Sequence, residues 1–132
     1  MRPHGRGSIV NVSSQGADSS PPGVSVYAIT KAGVNALTRS AAKEFGAFGV
    51  RVNSVAPGWI ETPMVSYRFR NDSGEIDPEK RDVVRRQFAQ VSPLGLTGVP
   101  RDIALAILYL ASDASRFVTG QVLRPNGGTA MP

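Results

Sequence analysis

The chain has 132 residues, a formal net charge of +5, 41% hydrophobic residues and no cysteine. That length and apolar content allow one folded domain with a core, and the lack of thiols excludes a disulfide framework and a thiolate metal centre. The positive balance accompanies no nucleic-acid-binding motif, so it reads as solvated helix faces with no nucleic-acid partner expected.

The first seven residues are polar and include His4, the only histidine, which reads as a solvated residue. They lack the apolar core of a secretory signal, and no apolar run approaches the length that spans a bilayer. A soluble, cytoplasmic protein without a metal or a membrane partner is the expectation. Residues 8–14, Ser-Ile-Val-Asn-Val-Ser-Ser, form a short apolar strand pattern. A helix pattern then starts at Tyr27, with Val34, Leu37, Ala41, Phe45 and Phe48 spaced by three and four. Residues 50–56 give a second strand pattern, closed by the turn pair Pro57-Gly58. Strand, helix and strand in this order favour a parallel sheet in an α/β fold.

Residues 59–98 are the least regular part, with turn signals at Asn71-Asp-Ser-Gly74 and Asp77-Pro78 and one helix expected over 78–90. Trp59, Met64, Tyr67 and Phe69 could line an apolar pocket or simply cover the core. Arg81, Arg85 and Arg86 stand at near-helical spacing and read as a solvated face. Residues 100–110 are nearly continuously apolar behind Pro100, which suits a helix start, and predict a helix buried on more than one side. Asp102 suits the positive end of its dipole. A last strand is expected over 121–124, followed by a glycine turn; Pro125 cannot donate to a ladder and should end the strand or lie at an edge.

The chemistry centres on Tyr27 and Lys31, which lie four apart on the expected helix and so share a face, and on Ser14, 13 residues before Tyr27. A free phenol has a pKa of about 10, and a nearby ammonium favours phenolate, which would make Tyr27 a usable proton donor and acceptor. Ser14 could hydrogen-bond a substrate oxygen as its charge changes. Alone, Tyr27 reads better as a packed ring and Ser14 as a turn hydroxyl. A Tyr-x-x-x-Lys pair is also common by chance at ordinary residue usage, so its surroundings carry the case.

With these motifs in this order, residues 5–128 resemble the C-terminal half of a short-chain dehydrogenase/reductase. In that family the strand ends in a Ser-Ser pair whose second serine is catalytic, matching Ser14, and Tyr27 and Lys31 match the family's Tyr-x-x-x-Lys pair. Pro57, Gly58, Ile60 and Thr62 match its Pro-Gly-x-Ile/Val-x-Thr segment. The resemblance implies the C-terminal half of a Rossmann-type doubly wound parallel sheet, with about three strands and a variable substrate lid over 59–98 within a single partial domain of residues 1–132. It further implies an oxidoreductase that uses NAD or NADP and moves hydride to or from a carbonyl or secondary alcohol of a small organic substrate. Ser14, Tyr27 and Lys31 would be catalytic. Tyr27, Lys31, Pro57, Gly58, Ile60 and Thr62 would line the cofactor, with Lys31 on the ribose hydroxyls and the Ile60 backbone and Thr62 at the carboxamide end.

The sequence departs from the family in several places, and the family's Asn-Ala-Gly segment and catalytic asparagine are among what it lacks. It contains no Gly-x-x-x-Gly-x-Gly turn, because Gly5-Arg-Gly7 precedes a strand instead of joining a strand to a helix, and the residue that selects NAD or NADP is not in it. Where the family has Val-Asp-Gly-Gly, this chain has Arg124-Pro-Asn-Gly-Gly128. Without the family's first half, the edge of the first strand would be open and the helix at 100–110 would lose part of its cover. A homo-oligomer, or association through that edge, is therefore expected. The alternative is a truncated, catalytically inactive remnant that acts only by associating with another subunit.

Overall fold

The structure is a computed structural model and describes residues 5–132. His4 lies outside the described residues. Three parallel strands, β1 (Gly7–Val12), β2 (Val50–Val55) and β3 (Val122–Leu123), form one sheet in the order β1-β2-β3. Four helices, α1 (Gly16–Ser19), α2 (Ser25–Gly46), α3 (Pro78–Gln90) and α4 (Pro100–Ala111), and two 3-10 helices, at Pro63–Phe69 and Asp113–Ser115, complete the framework. The architecture is the expected α/β one, a parallel sheet flanked by helices.

β1 and β2 pair along their whole lengths, from Gly7 opposite Val50 to Val12 opposite Val55. Adjacent strand residues point to opposite faces. Ile9 and Val52 pack with Ala41, Ala42 and Phe45 of α2. Their neighbours Ser8 and Arg51 instead donate to the carbonyl of Leu110, at 2.8 and 2.9 Å, and so hold the end of α4 on the other face. Arg51 also reaches the Ser112 carbonyl (3.0 Å) and the Ser115 hydroxyl (2.8 Å), satisfying acceptors that the helix end leaves open.

The central strand is buried on both faces although it contains Asn53 and Ser54. Both are paired, as buried polar groups must be. The Asn53 amide donates to the Val118 carbonyl (2.8 Å) and its oxygen accepts from the Gln121 N–H (3.0 Å), so one side chain extends the ladder to the approach of β3. Ser54 donates to the Asn11 carbonyl at 3.4 Å.

Several sequence expectations change. The strands are shorter than expected: β1 stops at Val12, two residues before Ser14, and β3 is reduced to Val122–Leu123 ahead of Pro125. The buried side of α2 runs through Ala28, Asn35, Thr38 and Ala42, whereas Leu37 is 60% exposed. Small residues lie there because the helix is hydrogen-bonded directly to the sheet: Thr38 accepts from the Asn11 amide at 2.9 Å and donates to the Val34 carbonyl. The helix expected over 78–90 is present as α3, started by Asp77, whose carboxylate accepts from the Glu79 and Lys80 N–H groups at 2.9 and 3.1 Å. Arg81 and Arg85 do not form a purely solvated face, because Arg81 Nε donates to Glu61 at 2.6 Å and Arg85 Nε lies 3.5 Å from the same carboxylate. Phe69 is buried, while Met64 and Tyr67 are exposed and join neither core nor pocket.

The largest correction concerns α4. Its expected burial on several sides is not met, since only Leu110 is buried and Leu105 and Leu108 are more than half exposed. Its apolar sequence suits a covering that the described residues do not supply, and β1 likewise pairs on one side only. Unpaired strand edge beside exposed leucine promotes association. The chain on its own is expected to elute, in light-scattering chromatography, well above the mass of one chain. A monomer with a sharp two-state unfolding transition would contradict this.

Candidate functional site

In open parallel sheets, ligands sit at the carboxyl ends of the strands. Here the two paired strands leave the sheet side by side at that end. The Ser13 N–H donates to the Val55 carbonyl (2.7 Å) and the Gln15 N–H to the Pro57 carbonyl (2.9 Å), so the Ser13-Ser14-Gln15 segment lies against Pro57-Gly58. Lys31 returns from α2 to the same place: its Nζ donates to the Val12 carbonyl (3.1 Å), and the Ser13 hydroxyl donates to the Lys31 carbonyl (3.0 Å).

Gly16 is the meeting point of Ser14 and Tyr27. A Cβ placed on Gly16 would lie 3.3 Å from ring carbon Cε1 of Tyr27 and 3.4 Å from Ser14 Oγ. Glycine thus lets the tyrosine ring and the serine hydroxyl converge. Ser14 Oγ accepts from the Gly16 N–H at 3.1 Å, which sets its position and leaves its own proton without an acceptor among the described residues. Tyr27 is 47% exposed. Lys31 Nζ lies over the Tyr27 ring, 5.7 Å from its centroid, one helical turn away as the spacing requires. The three predicted side chains therefore converge at one point, with a hydroxyl donor, a phenol and a cation available there.

The remaining predicted residues lie on the adjoining segment. Gly58 is required by close approach: a Cβ there would come 2.8 Å from the Asn126 backbone and 2.9 Å from Gln15 Oε1. Ile60 forms an isolated parallel bridge with Gly98, but the bonds run through its neighbours, Gly98 N–H to the Trp59 carbonyl (3.3 Å) and Glu61 N–H to the Gly98 carbonyl (3.1 Å). The N–H and carbonyl of Ile60 have no partner among the described residues. Thr62 opens the 3-10 helix without a side-chain capping bond.

Sequence reasoning missed the clamp that holds this loop from behind. Arg124 forms two hydrogen bonds to Asp18 of α1, Nε at 2.8 Å and Nη2 at 3.2 Å, and the Thr129 hydroxyl donates to Gln15 Oε1 at 2.6 Å. The Asp18 hydrogen bond raises the Arg124 pKa above its ordinary value, against the opposing effect of burial. An arginine so raised stays charged at every pH below its unfolded value, so it adds no pH dependence to stability between about pH 6 and 9. The partners are 106 residues apart, and the only sequence signal was the family departure at Arg124-Pro125. No helix among the described residues is long and apolar enough to cross a membrane. Among the same residues no group of three or more His, Asp or Glu could hold a metal ion.

Residues 1–130 match the family profile described as enoyl-(acyl carrier protein) reductase. The chain is 47% identical over 122 residues to the 3-oxoacyl-(acyl-carrier-protein) reductase of Thermotoga maritima, covering 92% of this chain and 45% of that protein. It superposes on a short-chain type dehydrogenase/reductase from Mycobacterium ulcerans with TM-score 0.82 and 36% identity, over 98% of this chain and 43% of that one. The chain belongs to the short-chain dehydrogenase/reductase family. A further family structure, a gluconate 5-dehydrogenase from Burkholderia cenocepacia in complex with NADP and tartrate, matches with TM-score 0.81 and 28% identity, over 97% of this chain and 46% of that one. The chain spans about half the length of the curated relatives it matches.

Two substitutions probe the support of the family motifs. Gly58→Ala forces a Cβ against the Asn126 backbone and is expected to lower stability by about 1–3 kcal/mol in chemical denaturation; an unchanged midpoint would show that the close approach is dispensable. Asp18→Asn removes the charge from a pair whose side chains are 11% and 29% exposed. It should cost about 1–3 kcal/mol, and an Asp18→Asn protein as stable as the parent would show that the clamp contributes nothing.

Proposed function

We propose that the chain carries the proton-transfer half of an NAD(P)-dependent oxidoreductase site that interconverts a carbonyl and a secondary alcohol. The observation that carries this reading is the convergence of Ser14 Oγ and the Tyr27 ring around Gly16, with Lys31 Nζ 5.7 Å from the ring centroid.

In the reducing direction, the Tyr27 phenol donates its proton to the substrate oxygen as negative charge develops there. The Ser14 hydroxyl, fixed by the Gly16 N–H and with its own proton free, donates to the same oxygen. Lys31 holds a positive charge over the Tyr27 ring, 5.7 Å from its centroid. In the oxidising direction the same groups act in reverse, with Tyr27 as the base.

The residues fit a nicotinamide dinucleotide. The unpaired N–H and carbonyl of Ile60 and the uncapped Thr62 hydroxyl offer the donor and acceptor set that a carboxamide needs. Lys31 uses one ammonium proton on the Val12 carbonyl and keeps two for ribose hydroxyls. Pro57 and Gly58 keep that wall free of side-chain bulk. When bound, the cofactor supplies or accepts the hydride. NAD and NADP are both compatible with these residues. The rest of the binding surface would come from chain outside these residues or from an associated subunit, docked along the open edge of β1 and the exposed face of α4.

Tyr27→Phe keeps the ring packed on Gly16 and removes only the titrating group. With NADPH or NADH and a panel of ketones, it should lower turnover by at least about 100-fold while largely sparing cofactor binding. Retained turnover would refute the assignment.

A further inference from the structure

Behind the Ser14–Gly16 loop lies a cavity of about 400 Å³, a volume in the range of small-molecule sites. Its walls are Trp59, Phe88, Val91, Leu94 and Leu96, contributed by the segment after β2, by α3 and by the loop that follows it. Trp59 and Phe88 are stacked, with ring centroids 4.6 Å apart and planes within 10°. Gln15, directly after Ser14 in the chain, is part of the wall.

Several polar side chains of this wall are used internally, although the Trp59 indole N–H is buried without a partner and the Ile60 N–H and carbonyl are unpaired among the described residues. Gln15 Oε1 accepts from Thr129, Ser92 donates to the Gly127 carbonyl at 3.0 Å, and Asn126 donates to the Ala130 carbonyl while accepting from the Gly128 N–H. The single charged side chain, Asp102, accepts from the Val99 N–H at 2.8 Å, and no lysine or arginine lines the space. A carboxylate or phosphate here would lose its water and meet only a second negative charge. Hydrocarbon placed against the stacked rings and leucines loses nothing and gains burial.

We infer that this cavity receives the hydrocarbon body of an uncharged ketone or secondary alcohol, and that it discriminates against sugar acids and phosphorylated substrates. The inference rests on the oxidoreductase reading of Ser14, Tyr27 and Lys31 and specifies the substrate class of that site. The Gln15 amide nitrogen, which makes no hydrogen bond among the described residues, is placed to meet a second neutral oxygen of such a substrate.

Trp59 is the only tryptophan in the chain and stands in the cavity wall, so its emission reports occupancy without cofactor or turnover. The titration is run on whatever assembly the chain forms in solution, with far-UV circular dichroism confirming that it is folded and Trp59→Phe identifying the signal. 2-Octanol should change Trp59 emission saturably, and D-gluconate should leave it unchanged. Leu96→Lys puts a cation in an exposed part of the wall, away from Ser14, Tyr27 and Lys31. It should weaken 2-octanol binding about tenfold and bring D-gluconate binding into range. Gluconate binding as tight as that of 2-octanol in the parent protein, or no response to 2-octanol in the folded protein, would overturn the inference. Saturable 2-octanol binding with turnover intact in Tyr27→Phe would remove the proton-transfer role assigned to Tyr27 and leave the apolar cavity standing. Turnover of a sugar acid with no 2-octanol binding would do the reverse.

Discussion

Everything at the candidate site depends on the parallel pairing of β1 with β2. Because both strands run the same way, both leave the sheet at the same end, and a helix must carry the chain back between them. α2 is that helix. It returns Tyr27 and Lys31 beside the strand exit, and the ladder continues past the formal strand ends through Ser13 to Val55 and Gln15 to Pro57. Antiparallel pairing would have sent Ser14 and Pro57 to opposite ends of the sheet. The same constraint makes the core small and shared: Val50 and Val52 of the central strand meet Ala42 of α2, with Ile9 alongside.

The last segment of the chain locks this arrangement. β3 contributes only two residues to the sheet, yet the turn after it reaches the site from behind through Arg124 to Asp18 and Thr129 to Gln15. Asn126 presses on Gly58, so the family's Pro-Gly segment and the C-terminal turn are in direct contact. The departure from the family pattern at Arg124-Pro125 acquires a physical reason here. Proline follows the short strand, and the arginine just before it turns its charge toward Asp18 of α1, between Ser14 and Tyr27 in the chain. Bidentate geometry and partial burial make that pair stronger than a surface ion pair.

By contrast, residues 59–98 are held lightly. α3 has no buried residue and is fastened by Glu61 to Arg81 and Arg85 and by the stacking of Trp59 on Phe88. Segments with few buried contacts open at low free-energy cost, and this one supplies Trp59, Phe88 and Leu96 to the cavity wall. Exposed leucines on α4 and the edge of β1, unpaired among the described residues, form a separate apolar surface.

Much of this was legible in the sequence. Period-two and period-three-to-four patterns revealed β1, α2, β2 and α3, because a strand or helix pattern is local and repeats along the chain. Motif spacing brought out Ser14, Tyr27 and Lys31, since i, i+4 on a helix is also a local relation. Where local signals failed, a distant partner decided. Leu37 matched the apolar spacing yet faces solvent, because Asn11 on the sheet selects Thr38 as the buried residue. The apolar run of α4 foretold burial, but burial depends on what packs against a helix and not on its own composition. Sequence alone therefore determined the main elements, their parallel order and the candidate site residues, read from patterns and motifs along the chain. Only the tertiary structure decided the convergence at Gly16, the Arg124–Asp18 clamp and the apolar cavity behind Gln15, because each joins residues remote in the chain whose meeting no local pattern encodes.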